Sequence, residues 1–442
     1  MNLAAANSDP ASHGAWLARR PALLGAWCAV AAFGAYGCMY AFRKPFTAGG
    51  YGTGNFPAGF KTWLVLAQVL GYTLAKFAGI RVIAELPAGR RAATLLSLIG
   101  AAMAGLLILA LAPAPWCLAG LFLNGLALGL VYGLVVGFLE GRRMTEALVA
   151  GLCASFILAD GFTKSVGAWL LQAGVSEPWM PLVAGALFVA PLLVFVAMLQ
   201  AIPMPTAAEV ADRTERVPLG AAERRRWFRR HGYGLVAIVA AYVLVTILRS
   251  LRADFAPEIW AGLGAPAAPG VFTSSELFVA LGVLAGNACL VWVRDHRRAF
   301  FLGLLLAIGG VALLPLALFS QQRGWLGTFP FMVWVGLGLY LPYVAVHTTI
   351  FERLIAMTRE RGNLGYLMYL ADAFGYLGYL AVLVFKNWGT GRVNAAGLFL
   401  TAGWAAGLAS LVALTAAFIF FARRPAALRV AEATFAPATS PT

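Results

Sequence analysis

Basic and aromatic side chains follow one another at helical spacing near the start of this sequence. Tyr36, Tyr40 and Arg43 are spaced i, i+4 and i+7, so they share one stripe if the segment is helical. Lys44 comes directly after them. The planar guanidinium of arginine binds carboxylate or phosphate through two hydrogen bonds, and tyrosine adds a ring face and a hydroxyl. The stripe therefore indicates an anion site, with an aromatic belt and a snorkelling arginine as the structural alternative.

A second polar stripe lies further along the chain. Gln68, Tyr72 and Lys76 repeat at intervals of four residues inside an apolar segment. An ionisable residue inside a membrane segment costs about 2.5–3.5 kcal/mol on insertion scales, so it faces a partner or a water-filled cavity. We interpret this stripe as cavity lining. The alternative is a lysine that is paired structurally with an aspartate of a neighbouring segment.

Acidic residues occur in two later apolar segments. Asp160 and Lys164 form an i, i+4 pair of suitable sense for a salt bridge. The pair is either a structural device that shields two charges from lipid, or a switch in which Lys164 leaves Asp160 for an anionic substrate. Asp372 shares a helix face with Tyr376. It either pairs with Lys76, Lys164 or an arginine, or carries a proton.

Two further ionisable residues lie within apolar runs. Glu276 matches Gln68 at an offset of 208 residues, which predicts the same inward-facing position in a second half of the chain. His347 lies on one stripe with Tyr340 and Tyr343. A single buried histidine is a packing residue more often than a ligand, so both interpretations stay open.

The composition predicts the elements that must position these residues. The chain has 442 residues, of which 61% are hydrophobic and 12% are charged. A soluble protein carries about 25% charged residues, and a transmembrane barrel shows short alternating segments. We therefore predict an all-α polytopic membrane protein. Breaks rich in charge, proline or glycine divide it into twelve spans, at residues 22–42, 60–82, 93–112, 116–139, 146–171, 179–201, 233–252, 272–292, 299–319, 326–350, 363–385 and 395–421.

The distribution of basic residues predicts the orientation of these spans. With the N-terminus inside, the inner loops and tails hold 23 of the 33 Lys and Arg residues. By the positive-inside rule both termini are then cytoplasmic. The net charge of +15 is explained in the same way, without nucleic acid. The other ten basic residues fall outside or within the membrane, and they are Arg43, Lys44, Lys61, Lys76, Lys164, Arg249, Arg252, Arg323, Lys386 and Arg392.

Short internal matches predict two related halves of six spans each. The motif LADGF at 158–162 returns as LADAF at 370–374, an offset of 212 residues. RKPF at 43–46 corresponds to RADF at 252–255, which makes Arg252 the counterpart of Arg43 at an offset of 209 residues. The predicted organisation is a cytoplasmic tail at 1–21, a first half at 22–202, a basic cytoplasmic linker at 203–231, a second half at 232–421 and a cytoplasmic tail at 422–442.

Small residues in the apolar runs have structural interpretations. Glycines recur every four residues in the fourth span, at 125, 129, 133, 137 and 141, which predicts close approach of a neighbouring helix. The five cysteines lie in or beside apolar runs and include no CxxC pair. We therefore predict neither a disulfide frame nor a metal site.

Twelve spans, a 6+6 repeat, a central cytoplasmic loop and two cytoplasmic termini resemble the major facilitator superfamily. The loop after the second span, with Gly79, Glu85 and GRR at 89–91, resembles a degenerate form of the superfamily signature. The topology covers most of the chain and is the stronger part of the resemblance. It implies a pseudo-symmetric carrier that works by alternating access.

Within this superfamily, two segments resemble the organophosphate:phosphate antiporters, which include the glycerol-phosphate and hexose-phosphate carriers. The segments are YGCMYAFRKPF at 36–46 and GYTLAKF at 71–77. The resemblance implies that Arg43 and Arg252 clamp a phosphoryl group. It also implies a set of cavity-lining residues, namely Lys44, Lys76, Tyr36, Tyr40 and Tyr72.

One departure accompanies this resemblance. Asp160 and Lys164 stand in the region of the fifth span where that family uses a histidine. The chain also resembles a bacterial major-facilitator-like family of unknown function.

We therefore predict a secondary transporter of a small anionic solute, phosphorylated or carboxylated, with an Arg43–Arg252 clamp and exchange as one mode of transport. The alternative is a proton-coupled major facilitator carrier of another solute, with Asp160, Asp372 and Glu276 as titrating groups.

The sequence has neither an HExxH motif nor a GxSxG motif in a suitable context, so an enzyme is not expected. We expect no cofactor and no nucleic-acid partner. We expect a monomer in the bacterial cytoplasmic membrane, with its basic linker on anionic lipid headgroups.

Overall fold

A computed structural model describes most of the chain. The described residues are 17, 20–52, 56–57, 59–84, 86–139, 145–203, 221–265, 268–358, 364–388 and 394–423. The predicted C-terminal tail from residue 424, residues 204–220 of the predicted linker and most of the N-terminal tail lie outside them.

The described residues form helices joined by short connections, so the prediction of an all-α fold is confirmed. Each of the twelve predicted spans coincides with one helix or with two consecutive helices. In chain order the helices are α1 Pro21–Ala41, α2 Phe60–Ala84, α3 Arg91–Leu111, α4 Cys117–Leu128, α5 Val131–Leu139, α6 Thr145–Gln172, α7 Met180–Leu187, α8 Val189–Gln200, α9 Ala221–Asp254, α10 Ala256–Gly262, α11 Pro269–Val291, α12 His296–Gln322, α13 Thr328–Ala345, α14 Phe351–Thr358, α15 Leu364–Trp388 and α16 Ala395–Ala422.

Helix length and apolarity separate two kinds of helix in this fold. Within the described residues, eight helical segments are long and apolar enough to cross a membrane, and the pair α7–α8, bent by 45°, makes a ninth. The remaining predicted spans are α2, α6 and α15. Ionisable side chains lie within all three and lower their apolarity; they include Lys61 and Lys76 in α2, Asp160 and Lys164 in α6, and Asp372 and Lys386 in α15.

The helix bounds differ from the predicted spans in two places. Helix α9 begins at Ala221, well before the predicted residue 233, because the segment AERRRWFRR consists largely of good helix formers. The predicted span 326–350 continues beyond its expected end. A π-helical turn, Val346–Ile350, joins α13 directly to α14, so the helical path runs to Thr358.

Close helix contacts in the first half depend on the glycines of the fourth span. A Cβ added at Gly125 would lie 2.0 Å from the carbonyl oxygen of Gln68, and one added at Gly129 would lie 2.5 Å from the Cβ of Ala75. Helices α4 and α2 therefore approach backbone to backbone. This confirms the predicted role of glycine at these two positions. The span itself is broken just after Gly129, between α4 and α5.

The two halves, α1–α8 and α9–α16, meet mainly where α6 packs on α11 and α2 packs on α15. The first contact is tight, since a Cβ on Gly161 would lie 2.4 Å from the carbonyl oxygen of Phe272. Ser165 of α6 donates a hydrogen bond to the carbonyl oxygen of Pro269 and accepts one from the backbone N–H of Thr273.

Candidate functional site

The C-terminal end of α1 is held by two amides from neighbouring helices. Helix α1 ends at Ala41, so the carbonyl groups that follow need partners outside the helix. Gln68 donates to the carbonyl oxygen of Arg43 at 3.0 Å, and Asn124 donates to that of Phe42 at 2.9 Å. Gln68 also donates to Asn124, which is fully buried. The backbone that carries Arg43 is therefore fixed by α2 and α4.

The Arg43 side chain is buried against aromatic rings instead of a carboxylate. Its guanidinium carbon lies 4.0 Å from the ring centre of Tyr72 and 5.7 Å from that of Tyr40. Among the described residues no carboxylate lies within ion-pair distance of it, and Nε has no hydrogen-bond partner. A buried guanidinium in this state is available to an added anion.

Arg249 on α9 has the same environment in the second half. Its guanidinium carbon lies 4.4 Å from the ring centre of Tyr343 and 5.7 Å from that of Tyr340. It too has no carboxylate partner among the described residues, and its Nε has no hydrogen-bond partner. We call Arg43 and Arg249 the arginine pair.

The arginine pair lines one cavity at the boundary of the two halves, together with Tyr40, Tyr340 and Tyr376. A second cavity shares Tyr40, Tyr376 and Arg249 with the first and extends to Lys76 and His347. The free volumes are about 10 Å³ and about 20 Å³, which is space for about one water molecule in each. The site is therefore closed, and any larger solute needs the halves to move.

A cluster of four charges lies beside the arginine pair and joins the two halves. Lys44 Nζ lies 2.5 Å from Asp254 Oδ1 in the second half and 3.4 Å from Asp160 Oδ1 in the first half. Lys164 Nζ lies 3.1 Å from Asp160 Oδ2 and donates to the carbonyl oxygen of Ala253 across the boundary. We call Lys44, Asp160, Lys164 and Asp254 the Lys44 cluster. The predicted i, i+4 pair is thus present as part of a larger network.

Arg252 is engaged by partners of its own half. Its Nη1 lies 2.6 Å from Glu276 Oε1, and its Nη2 donates to the carbonyl oxygen of Met332 at 3.0 Å. Arg252 and Glu276 are both buried. The structure therefore brings together Arg252 and Glu276, while the cavity of Arg43 is shared with Arg249.

A second cross-half cluster lies on the other side of the arginine pair. Lys76 of α2 reaches Asp372 of α15, with 3.1 Å between Nζ and Oδ2. Tyr242 donates a short hydrogen bond to Asp372 Oδ1, and His347 Nε2 lies 3.8 Å from the same oxygen. The ring of His347 stacks on Tyr343 with 4.6 Å between ring centres. We call Lys76, Tyr242, His347 and Asp372 the Asp372 cluster.

The remaining predicted lining residues surround these groups. Tyr36 contacts Tyr40 edge to face with 5.6 Å between ring centres. Tyr72 contacts Tyr376 across the halves at 5.2 Å. Tyr36 and Tyr72 both line the second cavity. The tyrosines therefore form the wall between the arginine pair and the Asp372 cluster.

The order of residues along α9 gives the order of the three sites. Tyr242, Arg249 and Asp254 belong to the Asp372 cluster, the arginine pair and the Lys44 cluster in turn. At 1.5 Å rise per residue, Tyr242 and Arg249 are about 10 Å apart along the helix, and Arg249 and Asp254 about 7.5 Å. A cross-half ion pair therefore lies on each side of the arginine pair.

The buried charges of the described residues do not balance. Seven Lys and Arg side chains are buried, and five of them have a carboxylate partner. The five are Lys44, Lys61, Lys76, Lys164 and Arg252. The arginine pair accounts for the other two. No group of three or more metal-ligand side chains is found among the described residues.

Arg249 is the main residue that the sequence patterns did not single out. At an offset of 206 residues Tyr36 corresponds to Tyr242 and Arg43 to Arg249, so both halves carry a tyrosine followed by an arginine seven residues later. The match RKPF to RADF, at 209 residues, led to Arg252 instead. A search for the spaced pair of residues would have found Arg249.

A protein-family model matches most of the sequence. Residues 45–424 match the family model described as family of unknown function, DUF5690. The chain belongs to DUF5690. A comparison with curated protein sequences gives no match.

Solved structures show which fold this DUF5690 chain has. It is similar to a D-xylose–proton symporter with a TM-score of 0.58 and 14% identity, covering 89% of this chain and 97% of the symporter. It is also similar to a bacterial homologue of the human drug peptide transporters PepT1 and PepT2, with a TM-score of 0.58 and 12% identity over 90% and 98% of the two chains. The DUF5690 chain therefore shares its overall helical fold with these two proteins. The names of both neighbours describe transporters.

Proposed function

We propose that this DUF5690 protein is a secondary active transporter that moves a small anionic solute by alternating access. The proposed topology has twelve transmembrane helices in a 6+6 arrangement, with both termini cytoplasmic, in a monomer of the bacterial cytoplasmic membrane. The observation that carries the proposal is the arginine pair, which is buried between the halves without a carboxylate partner among the described residues.

The charge of the arginine pair favours one class of anion. Two uncompensated charges in a low-dielectric interior are costly, and an anion that enters between them removes the cost. A phosphate or phosphate monoester in its doubly charged form neutralises both arginines. A monocarboxylate neutralises one. We therefore propose a phosphorylated solute, with dicarboxylates as the nearest competitors.

The choice of Arg249 as the partner of Arg43 replaces the clamp expected from sequence. Arg252 already holds Glu276 at 2.6 Å, so binding an anion there would require an ion pair to break. Arg249 has no such pair to break. The guanidinium group of Arg43 comes from the connection between α1 and α2, and that of Arg249 comes from α9. These elements belong to opposite halves. An anion held by both draws the halves together.

The transport cycle follows from the two cross-half clusters. The cavities are too small for a phosphate in this closed state. The halves must therefore separate on one side, breaking either Lys44–Asp254 or Lys76–Asp372, while the other pair stays closed. An unloaded carrier would bring two like charges together as it closes. This repulsion favours exchange of one anion for another over return of the empty carrier.

A proton-coupled carrier is the second candidate function. The Asp372 cluster favours it, because a histidine and a tyrosine contact a buried carboxylate beside the cavity. Asp160 and Glu276, which hold the buried cations Lys164 and Arg252, are the other titrating groups of this candidate.

A thermal stability screen of the purified protein tests the proposal. The probes are inorganic phosphate, glycerol phosphate, a hexose phosphate, a dicarboxylate, a monocarboxylate and a neutral sugar. A ligand that binds only the folded protein raises the melting temperature by mass action. We expect the phosphorylated compounds to raise it most, and the effect to disappear in Arg249→Lys but not in Arg323→Lys, which replaces an exposed arginine. Stabilisation by the neutral sugar alone would contradict the proposal.

A further inference from the structure

We propose that His347, Tyr242 and Asp372 form a proton-binding site in the second half, which Lys76 of the first half displaces. Asp372 then has two alternative cationic partners. They are Lys76 when the halves are closed on this side and protonated His347 when they are open. The proposal deepens the proposed function, since it depends on the two halves separating.

The geometry places His347 beside both members of the hydrogen-bonded pair Tyr242 and Asp372. Nε2 lies 3.8 Å from Asp372 Oδ1, and Nδ1 lies 3.3 Å from the hydroxyl of Tyr242. Tyr242 in turn donates its own hydrogen to Asp372. An imidazolium at His347 would therefore lie within ion-pair distance of Asp372, and Tyr242 would still donate to Asp372. All three residues belong to the second half and move together.

Lys76 belongs to the first half, so separation of the halves breaks its contact with Asp372. In the closed state its ammonium group lies 3.1 Å from Asp372 Oδ2 and supplies the countercharge. When the halves separate on this side, Asp372 loses that charge. A buried carboxylate without a cation is costly, and a proton taken from water onto His347 restores the charge from within the second half.

Other charged and titratable groups also face His347. Helix α9 contributes Arg249, whose positive charge opposes protonation, as does that of Lys76 in the closed state. Neutral phenols line the rest of the cavity. They come from α1, α2, α5, α13 and α15, and the residues are Tyr36, Tyr40, Tyr72, Tyr132, Tyr343 and Tyr376. Removal of Lys76 on opening is therefore the largest change in charge that His347 experiences.

The backbone at His347 supports a site that rearranges. His347 lies in the π-helical turn Val346–Ile350, between two α-helical segments. Such turns occur in helices mainly as single insertions, often at functional sites. Pro342, one turn earlier, lacks the N–H that an unbroken helix requires.

The direction of the coupling follows from linkage. If the open state on this side binds one more proton than the closed state, acid favours the open state. Lowering the pH therefore shifts the protein towards separation of Lys76 from Asp372. A solute that favours the closed state would then release a proton as it binds.

A distance measurement on solute-free protein tests this inference. Spin labels are placed at exposed positions on opposite halves, Ala78 of α2 and Arg229 of α9, after the exposed Cys289 is replaced by serine. We expect the fraction of long distances to rise severalfold between about pH 8 and about pH 5.5. His347→Gln should abolish this response. His231→Gln, which replaces a buried histidine that stacks on Phe421 outside the cavity, should keep it.

A second variant keeps the test decisive if His347→Gln does not fold. Lys76→Gln should show the long distance throughout the pH range, because Asp372 has lost its cross-half partner. A pH-independent distance in the wild-type protein would overturn the inference, as would a full response in His347→Gln. Because no solute is present, these outcomes are separate from a failure of anion binding in the thermal screen.

Discussion

Lys44 and Asp254 form a 2.5 Å ion pair that joins the two halves of the protein next to the candidate anion site. Both residues are buried, and Tyr379 donates a further hydrogen bond to Asp254 at 2.9 Å. Removing one partner of such a pair leaves an uncompensated charge. Removing both leaves two neutral groups that can still form a hydrogen bond.

We predict that Lys44→Gln and Asp254→Asn each lower the stability of the closed state by about 3–5 kcal/mol. The double variant Lys44→Gln/Asp254→Asn should recover a large part of that loss, since no charge is left alone. Melting temperatures of the four proteins in one detergent measure the effect. Purely additive losses would show that the pair does not act as a unit.

Asn124 is predicted to position Arg43 through the backbone of α1. Its amide donates to the carbonyl oxygens of Phe42 and Ala102 and accepts from Gln68. Asn124→Ala leaves these groups buried without partners, at about 1–3 kcal/mol for each unsatisfied group. We expect a lower melting temperature and weaker phosphate binding. Ser97→Ala, in which an exposed hydroxyl is lost, is the matched control and should behave as wild type.

The approach of α2 and α4 at Gly125 gives a packing prediction. An added Cβ would meet the carbonyl oxygen of Gln68 at 2.0 Å, so Gly125→Ala must push the two helices apart. We expect a destabilisation of at least about 1–3 kcal/mol, seen as a fall in melting temperature. Gly100→Ala on α3 adds a Cβ with nothing within 4 Å, and it should be neutral or slightly stabilising. Equal effects at both positions would contradict the packing described here.

Much of the fold was predictable because membrane helices are encoded locally. Apolar runs with charged breaks indicated all the long helices, though not the short α10. The glycine spacing indicated that a neighbouring helix approaches α4 closely. The early start of α9 was missed because its first turns are rich in arginine rather than apolar. The π-helical turn at His347 was not predictable either, since it leaves no pattern in residue spacing.

The site was predictable only in part, because partner choice depends on the packing of distant helices. Tyr36, Tyr40 and Arg43, and likewise Tyr72 and Lys76, do line the cavities between the halves. Gln68, expected to line them as well, instead holds the backbone of Arg43 and the side chain of Asn124 within the first half. The Asp160–Lys164 pair could be read from its spacing, but the ion pairs that join distant helices could not. Because the loops of the two halves differ in length, the difference in residue number between corresponding positions changes from one helix to the next. One offset led to Arg252, and the spaced Tyr–Arg pattern shows that Arg249 is the counterpart in the cavity.

The most direct test of the account is exchange of radiolabelled phosphate by purified protein in phosphate-loaded proteoliposomes. Arg43→Lys and Arg249→Lys should each lower the exchange rate at least about 100-fold, because a lysine cannot hold two oxygens as a fork does. The double variant Arg252→Gln/Glu276→Gln, which removes both charges of that ion pair, should keep a substantial part of the exchange rate. Full exchange by Arg249→Lys, together with loss of exchange in the double variant, would contradict the arginine pair as the anion site.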